Sequence, residues 1–120
     1  MNDTEKSGGR TDELLDQITV LTEQLNAVTD KAFAKLKHVE ERLGVIRPGI
    51  SGSVDLDKVI GARLCYGHFN AGWQLHVMRP DGTFAHLTGV SREERLAAAQ
   101  VVDALLGQLL RRVRLTCREG

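Results

Sequence analysis

Nine apolar residues recur along the opening part of the chain: Leu14, Ile18, Leu21, Leu25, Val28, Ala32, Leu36, Val39 and Leu43. The gaps between them run 4, 3, 4, 3, 4, 4, 3, 4. Alternating 4 and 3 keeps one narrow stripe on one side of an α-helix, which is the spacing of a coiled-coil seam. The repeated 4 at Val28–Ala32–Leu36 has the form of a stutter, which relaxes the supercoil locally. Between the seam residues stand Asp16, Gln17, Glu23, Gln24, Asp30, Lys31, Lys35, Lys37, Glu40 and Glu41, side chains suited to water. Thr11 is the expected N-cap, with Asp12 and Glu13 in the first turn where negative charge suits the helix dipole. Gly44 and then Pro48-Gly49 supply the stop signal. The pattern predicts about 33 residues of helix, on the order of 50 Å.

After the helix the period changes. Residues 45–58, with Arg47-Pro48-Gly49 and Ser51-Gly52-Ser53, have the composition of a linker. Three short strands are then expected, roughly Ala62–Phe69, Trp73–Arg79 and Thr83–Thr88. Asn70-Ala71-Gly72 supplies the first turn. Pro80-Asp81-Gly82 supplies the second, with proline presetting φ, aspartate in the middle and glycine at the left-handed bulge position. Ser91-Arg92-Glu93-Glu94 is a capping box. It opens a helix to about Leu115 whose apolar face is Leu96, Ala99, Val102, Leu105, Leu106, Leu109 and Val113. Gly107 in its middle marks a candidate close crossing.

The expected fold is therefore α+β: a long N-terminal coiled-coil helix, then a three-stranded antiparallel β-meander covered by a C-terminal helix. Its parts are a disordered leader at 1–10, the helix at 11–44, the linker at 45–58, a β-β-β-α domain at 59–116 and a tail at 117–120. The helix of 11–43 either pairs with a second copy or a partner's helix, or folds back on its own globular part. The narrow stripe and the length favour pairing.

Composition narrows the function classes only a little. Sixteen acidic and sixteen basic residues cancel, so no global field points to nucleic acid or membrane. Residues 1–45 hold nine acidic and six basic residues, and residues 91–120 hold four and six. Cys65 and Cys117 form no Cys-x-x-Cys pair and are expected to be free thiols in a reducing cytoplasm. No apolar run approaches a membrane span, and no signal-peptide core opens the chain.

Candidate chemistry gathers on one face of the expected sheet. Three-residue turns place His76 opposite His86, Met78 opposite Phe84, and Tyr66 opposite His76. Side-chain alternation then puts Cys65, Phe69, Trp73, Leu75, Val77, Ala85 and Leu87 under the C-terminal helix. Leu64, Tyr66, His68, Gln74, His76, Met78, Phe84 and His86 share the other face. That face has three readings. It is a half-buried interface. It is a zinc site made by His76, His86 and His68, although no carboxylate falls on it. Or it is a platform that stacks unpaired bases on Tyr66, Phe84 and the histidines His68, His76 and His86, with Arg111, Arg112 and Arg114 on phosphates.

No phosphate-binding loop, nucleophile elbow or His-Glu-x-x-His motif is present in the sequence. Cys65 and His68 fall on opposite faces of the expected sheet. The sequence therefore points to a non-enzymatic assembly or adaptor protein without a cofactor, cytoplasmic and not membrane-bound. It works as a homo-oligomer or on a partner protein through helix 11–43, and the alternative is a nucleic-acid-binding accessory protein.

Overall fold

The computed structural model describes the backbone of residues 2–69 and 72–119, and the side chains of residues 9–68 and 72–118. The chain is α+β. Helix α1 spans Asn2–Ile46, strands β1 to β4 span Gly52–Asp55, Arg63–Phe69, Gly72–Met78 and Phe84–His86, and helix α2 spans Arg92–Glu119. The four strands form one antiparallel sheet in the order β1-β2-β3-β4. Residues up to Lys31 make one compact unit, and Ala32 to the C-terminus make another.

Both helix boundaries differ from the expected ones. α1 is already helical at Asn2, so Thr11 is an interior residue and the polar segment 2–10 is continuous with the helix. At the other end Gly44 stays helical, and the helix stops at Ile46. Pro48 disfavours right-handed helical geometry at the residue before it. Arg47 responds by taking φ 52°, with its N–H donating to the Leu43 carbonyl at 2.8 Å. Glycine is the usual occupant of that position, because a side chain there crowds the backbone.

The sheet has one strand more than the meander expected. Gly52–Asp55 falls within the stretch of linker composition, and its Gly-Ser-Val-Asp sequence has little strand propensity of its own. Long-range pairing makes it a strand. Gly52, Ser53, Val54 and Asp55 lie opposite Tyr66, Cys65, Leu64 and Arg63. On the outer edge, the Gln108 amide donates to the Ser53 carbonyl (3.0 Å) and accepts from the Ser53 N–H (2.8 Å). α2 comes so close here that a Cβ on Gly52 would meet Gln108 Oε1 at 2.5 Å and Leu109 Cδ2 at 3.1 Å. The tight crossing lies at Gly52; around Gly107 the space is open.

Phe69 pairs with Gly72, so two residues connect β2 and β3 where three were expected. The shift of one residue reverses the facing of β2. Tyr66 lies opposite Leu75, and Cys65 lies opposite His76. Burial explains the outcome. In this register Leu64, Tyr66, Leu75 and Val77 share one face, and each is at most 2% exposed. Leu36, Val39 and Leu43 of α1 join them in a single core with Ala97, Ala98, Val101, Val102, Leu105 and Leu109 of α2.

The second hairpin follows its sequence. Gly82 takes φ 85°, Arg79 and Thr83 close the turn, and Asp81 accepts from the Thr83 N–H and hydroxyl. The pairs His76–His86 and Met78–Phe84 form as the turn chemistry predicts. The capping box also forms: Ser91 Oγ accepts from Glu94 N–H, and Glu94 Oε1 accepts from Ser91 N–H. Glu94 does a second task, receiving the Arg79 guanidinium through both oxygens at 2.9 and 3.1 Å. One buried carboxylate thus joins the hairpin to the start of α2. Its pKa is held below the ordinary value, first by the Arg79 bond, while burial opposes the shift.

Two measurements check this account. Arg47→Gly should raise unfolding stability by about 1 kcal/mol, because it removes the side chain that strains the left-handed position. Glu94→Ala should lower it by about 1–3 kcal/mol through the lost cap and the lost charge-assisted bonds. Since the folded pKa of Glu94 is depressed, its contribution is present above the ordinary carboxylate pKa and is lost as pH falls through the folded one. Denaturant titrations at neutral and acid pH would show the difference between wild type and Glu94→Ala shrinking in acid.

Candidate functional site

The nine seam residues divide into two groups. Leu14, Ile18, Leu21, Leu25 and Val28 are between 40% and 62% exposed. Ala32, Leu36, Val39 and Leu43 are buried, at 9% exposure or less. The last three belong to the chain's own core, so they are not available as an oligomer seam. Their burial has a physical cause: the sheet face formed by Leu64, Tyr66, Leu75 and Val77 needs more apolar cover than α2 supplies, and this stretch of α1 provides it. Phe33 adds to the join, lying 4.5 Å from the Arg95 guanidinium across the two helices.

The expected histidine and aromatic face is likewise split by the register. Tyr66 and His68 lie on the helix-covered side with Trp73, whereas His76, Phe84 and His86 lie on the opposite side with Cys65 and Met78. Tyr66 is 2% exposed and cannot stack a base. The three histidines do not converge, and among the described residues no group of three or more His, Cys, Asp or Glu side chains is arranged to hold a metal ion. Phe69, expected beneath the helix, has a side chain outside the described residues. Arg111, Arg112 and Arg114 are exposed in the last turns of α2, and Arg112 donates to the Ser51 carbonyl.

On the open side, one cross-strand row runs Ser53, Cys65, His76, His86. His76 is buried beside the Phe84 ring, with centroids 5.4 Å apart. Burial pushes its pKa down, and His86 adds to that. The Gln74 carbonyl, which accepts from Nδ1, and the Glu40 charge oppose it. Burial likewise raises the pKa of the Cys65 thiol, against the pull of Arg63. A thiol held protonated beside an imidazole held neutral is a poor nucleophile pair.

Glu40 stands among the polar residues between the seam positions, where the sequence suggests only a side chain facing water. Its carboxylate accepts from the Leu75 N–H at 2.7 Å, at a point of β3 beyond the end of β4. It also accepts from His86 Nε2 at 3.0 and 3.1 Å. A carboxylate only accepts, so Nε2 carries the proton and Nδ1 faces Thr88 Oγ1 at 3.2 Å. Partners 35 and 46 residues away leave no local signal in the sequence.

A second feature also escaped the sequence reading. Leu43, Gly44, Arg47, Gly49, Tyr66 and Trp73 enclose a cleft of about 290 Å³ at the end of α1. The Trp73 ring lies 5.6 Å from that of Tyr66, tilted by 40°, and 6.4 Å from the imidazole of His68, edge-on. Proline and glycine around Arg47 suggested only a turn. The signal that could have found the cleft is the arginine in a position that glycine would fill without strain.

The buried His76 makes a pH prediction. Its folded pKa is below the ordinary 6.5, so the unfolded chain binds the proton more readily. The stability tied to its neutral form is complete above that ordinary value and is lost as pH falls toward the folded pKa. Wild-type stability should therefore decline on acidification just below neutrality, and His76→Gln should flatten that part of the profile. An unchanged slope in the variant would assign the decline to other groups.

Among the described residues, no helix is long and apolar enough to cross a membrane. Compared with protein families, with characterised proteins and with solved structures, the chain matches none of them.

Proposed function

We propose that this chain is a non-enzymatic self-assembly module, in which residues 14–28 of α1 pair with the same segment of a second copy. The observation that supports the reading is the exposure of Leu14, Ile18, Leu21, Leu25 and Val28, five large apolar side chains at gaps of 4, 3, 4 and 3. A contiguous apolar strip left in water is costly, and such strips mark interaction surfaces.

The polar residues around the strip favour a second copy as the occupant. The positions flanking the seam are Leu15, Gln17, Thr22, Gln24 and Thr29, none of them charged. The acids Asp16, Glu23 and Asp30 recur every seven residues on the side of the helix away from the seam. Two copies of this acidic segment can therefore meet along the seam without like charges across it. A nucleic-acid role loses Tyr66 to the core and would rest on Phe84 and His86 of the open face together with Arg111, Arg112 and Arg114.

Leu21→Asp with Leu25→Asp tests the reading. Each buried leucine contributes roughly 1.5–3 kcal/mol, so a dimer losing four of them forfeits roughly 6–12 kcal/mol. A micromolar complex is held by only about 8 kcal/mol. Light scattering should give a dimer or higher form for wild type and a monomer for the double variant. The thermal unfolding of the sheet unit should survive, because neither position lies in its core. A monomeric wild type, or a double variant of unchanged mass, would refute self-assembly through this strip. A mass increase only on adding single-stranded RNA at low salt would replace it with the nucleic-acid reading.

A further inference from the structure

We infer that the cleft at the end of α1 is a binding site for a small planar aromatic carboxylate. The inference is independent of the self-assembly reading, since none of its residues lies in the 14–28 strip. Four observations converge on it.

Trp73 stands on the helix-covered face of the sheet, where Leu75 and Val77 are fully buried, and is nevertheless 40% exposed. It presents an indole surface that the protein's own core does not use. Tyr66 lies against it at 5.6 Å and supports the ring from the core side. Gly44 and Gly49 line the cleft, and the space where a side chain would stand at either one is open. A flat molecule can therefore come close to the backbone there. The volume of about 290 Å³ lies near the lower end of the range for small-molecule sites, room for one ring or two fused rings.

Arg47 supplies the charge. It is the one charged residue lining the cleft, and no carboxylate lines it. Its Nε donates to the Gly44 carbonyl at 3.3 Å, which aligns the guanidinium, and among the described residues no bond engages the two terminal nitrogens. The backbone adds a separate argument. Arg47 is the only non-glycine residue with positive φ among the described residues, at a helix end where glycine fits without strain. Strain of this kind is kept where a side chain is needed for something other than the fold.

The ligand class follows from these parts. An aromatic ring stacks on Trp73 in the offset or tilted geometries that rings prefer. A carboxylate on that ring meets the planar guanidinium fork, which matches it with two parallel hydrogen bonds. A cation would be repelled by Arg47, and a purely aliphatic acid would leave the indole face without its partner.

2-Naphthoate is the probe, with 2-naphthamide as its uncharged counterpart. Trp73 is the only tryptophan in the chain. Its indole N–H therefore gives a single side-chain resonance in a ¹H–¹⁵N spectrum of the full-length protein. That resonance should shift saturably with 2-naphthoate. By calorimetry, 2-naphthamide should bind at least about tenfold more weakly, as loss of a charge-assisted pair implies. Arg47→Gly should lose binding by a similar factor while melting at a higher temperature than wild type, so the loss cannot be ascribed to unfolding. Arg47→Lys should recover part of the affinity, as a point charge without the fork. No saturable shift up to about 10 mM, equal binding of amide and acid, or full affinity in Arg47→Gly would each overturn the inference.

Discussion

Leu64, Tyr66, Leu75 and Val77 form a continuous apolar patch on one face of the sheet, and the rest of the second unit is organised by the need to cover it. A four-stranded sheet of short strands offers a surface wider than a single helix can close. α2 covers it with Ala97, Ala98, Val101, Val102, Leu105 and Leu109, whose small residues allow a close approach. The remaining area is closed by Leu36, Val39 and Leu43 from α1. Polar groups at the margins are then satisfied by side chains from those helices: Gln108 takes both peptide groups of Ser53, and Glu40 takes the Leu75 N–H. These contacts also close sheet edges that would otherwise invite pairing with another chain.

That demand divides the labour along α1. A helix that pairs with another helix keeps a strict 3.5-residue stripe, whereas a helix lying on a sheet presents a broader face with the natural 3.6 period. The heptad spacing holds over Leu14 to Val28, where the side chains are exposed, and breaks at Val28–Ala32–Leu36, where burial begins. The break in the repeat coincides with the boundary between the two compact units, at Lys31 and Ala32. A stutter and a change of role are thus two expressions of one change in what the helix packs against.

Helix termination creates the cleft. Pro48 prevents α1 from continuing, Arg47 absorbs the reversal at φ 52°, and Gly49 at φ 67° carries the chain away without filling the space beside Trp73. The open face of the sheet is chemically quieter than its histidine content suggests. His76 is held neutral by burial, the Cys65 thiol is held protonated, and His86 is engaged by Glu40.

Local rules determined the features that depend on few neighbours. The long helix, the Pro80-Asp81-Gly82 turn with its His76–His86 register, and the Ser91–Glu94 capping box follow from spacing and turn chemistry within a few residues. The exposed heptads are legible for the same reason. Tertiary structure alone decided the rest. β1 has little propensity and exists because β2 and Gln108 complete its hydrogen bonds. The β2–β3 register turned on one residue of loop length, and burial of Leu64 and Tyr66 outweighed a plausible turn, moving Tyr66 and His68 away from His76, Phe84 and His86. Ala62, Leu64 and Tyr66 alternate as a buried strand should, so the right facing could have been read by trusting that alternation over the loop count. The roles of Glu40 and Trp73 had no such cue, because their partners are brought beside them only when the sheet and its two helices close on one core.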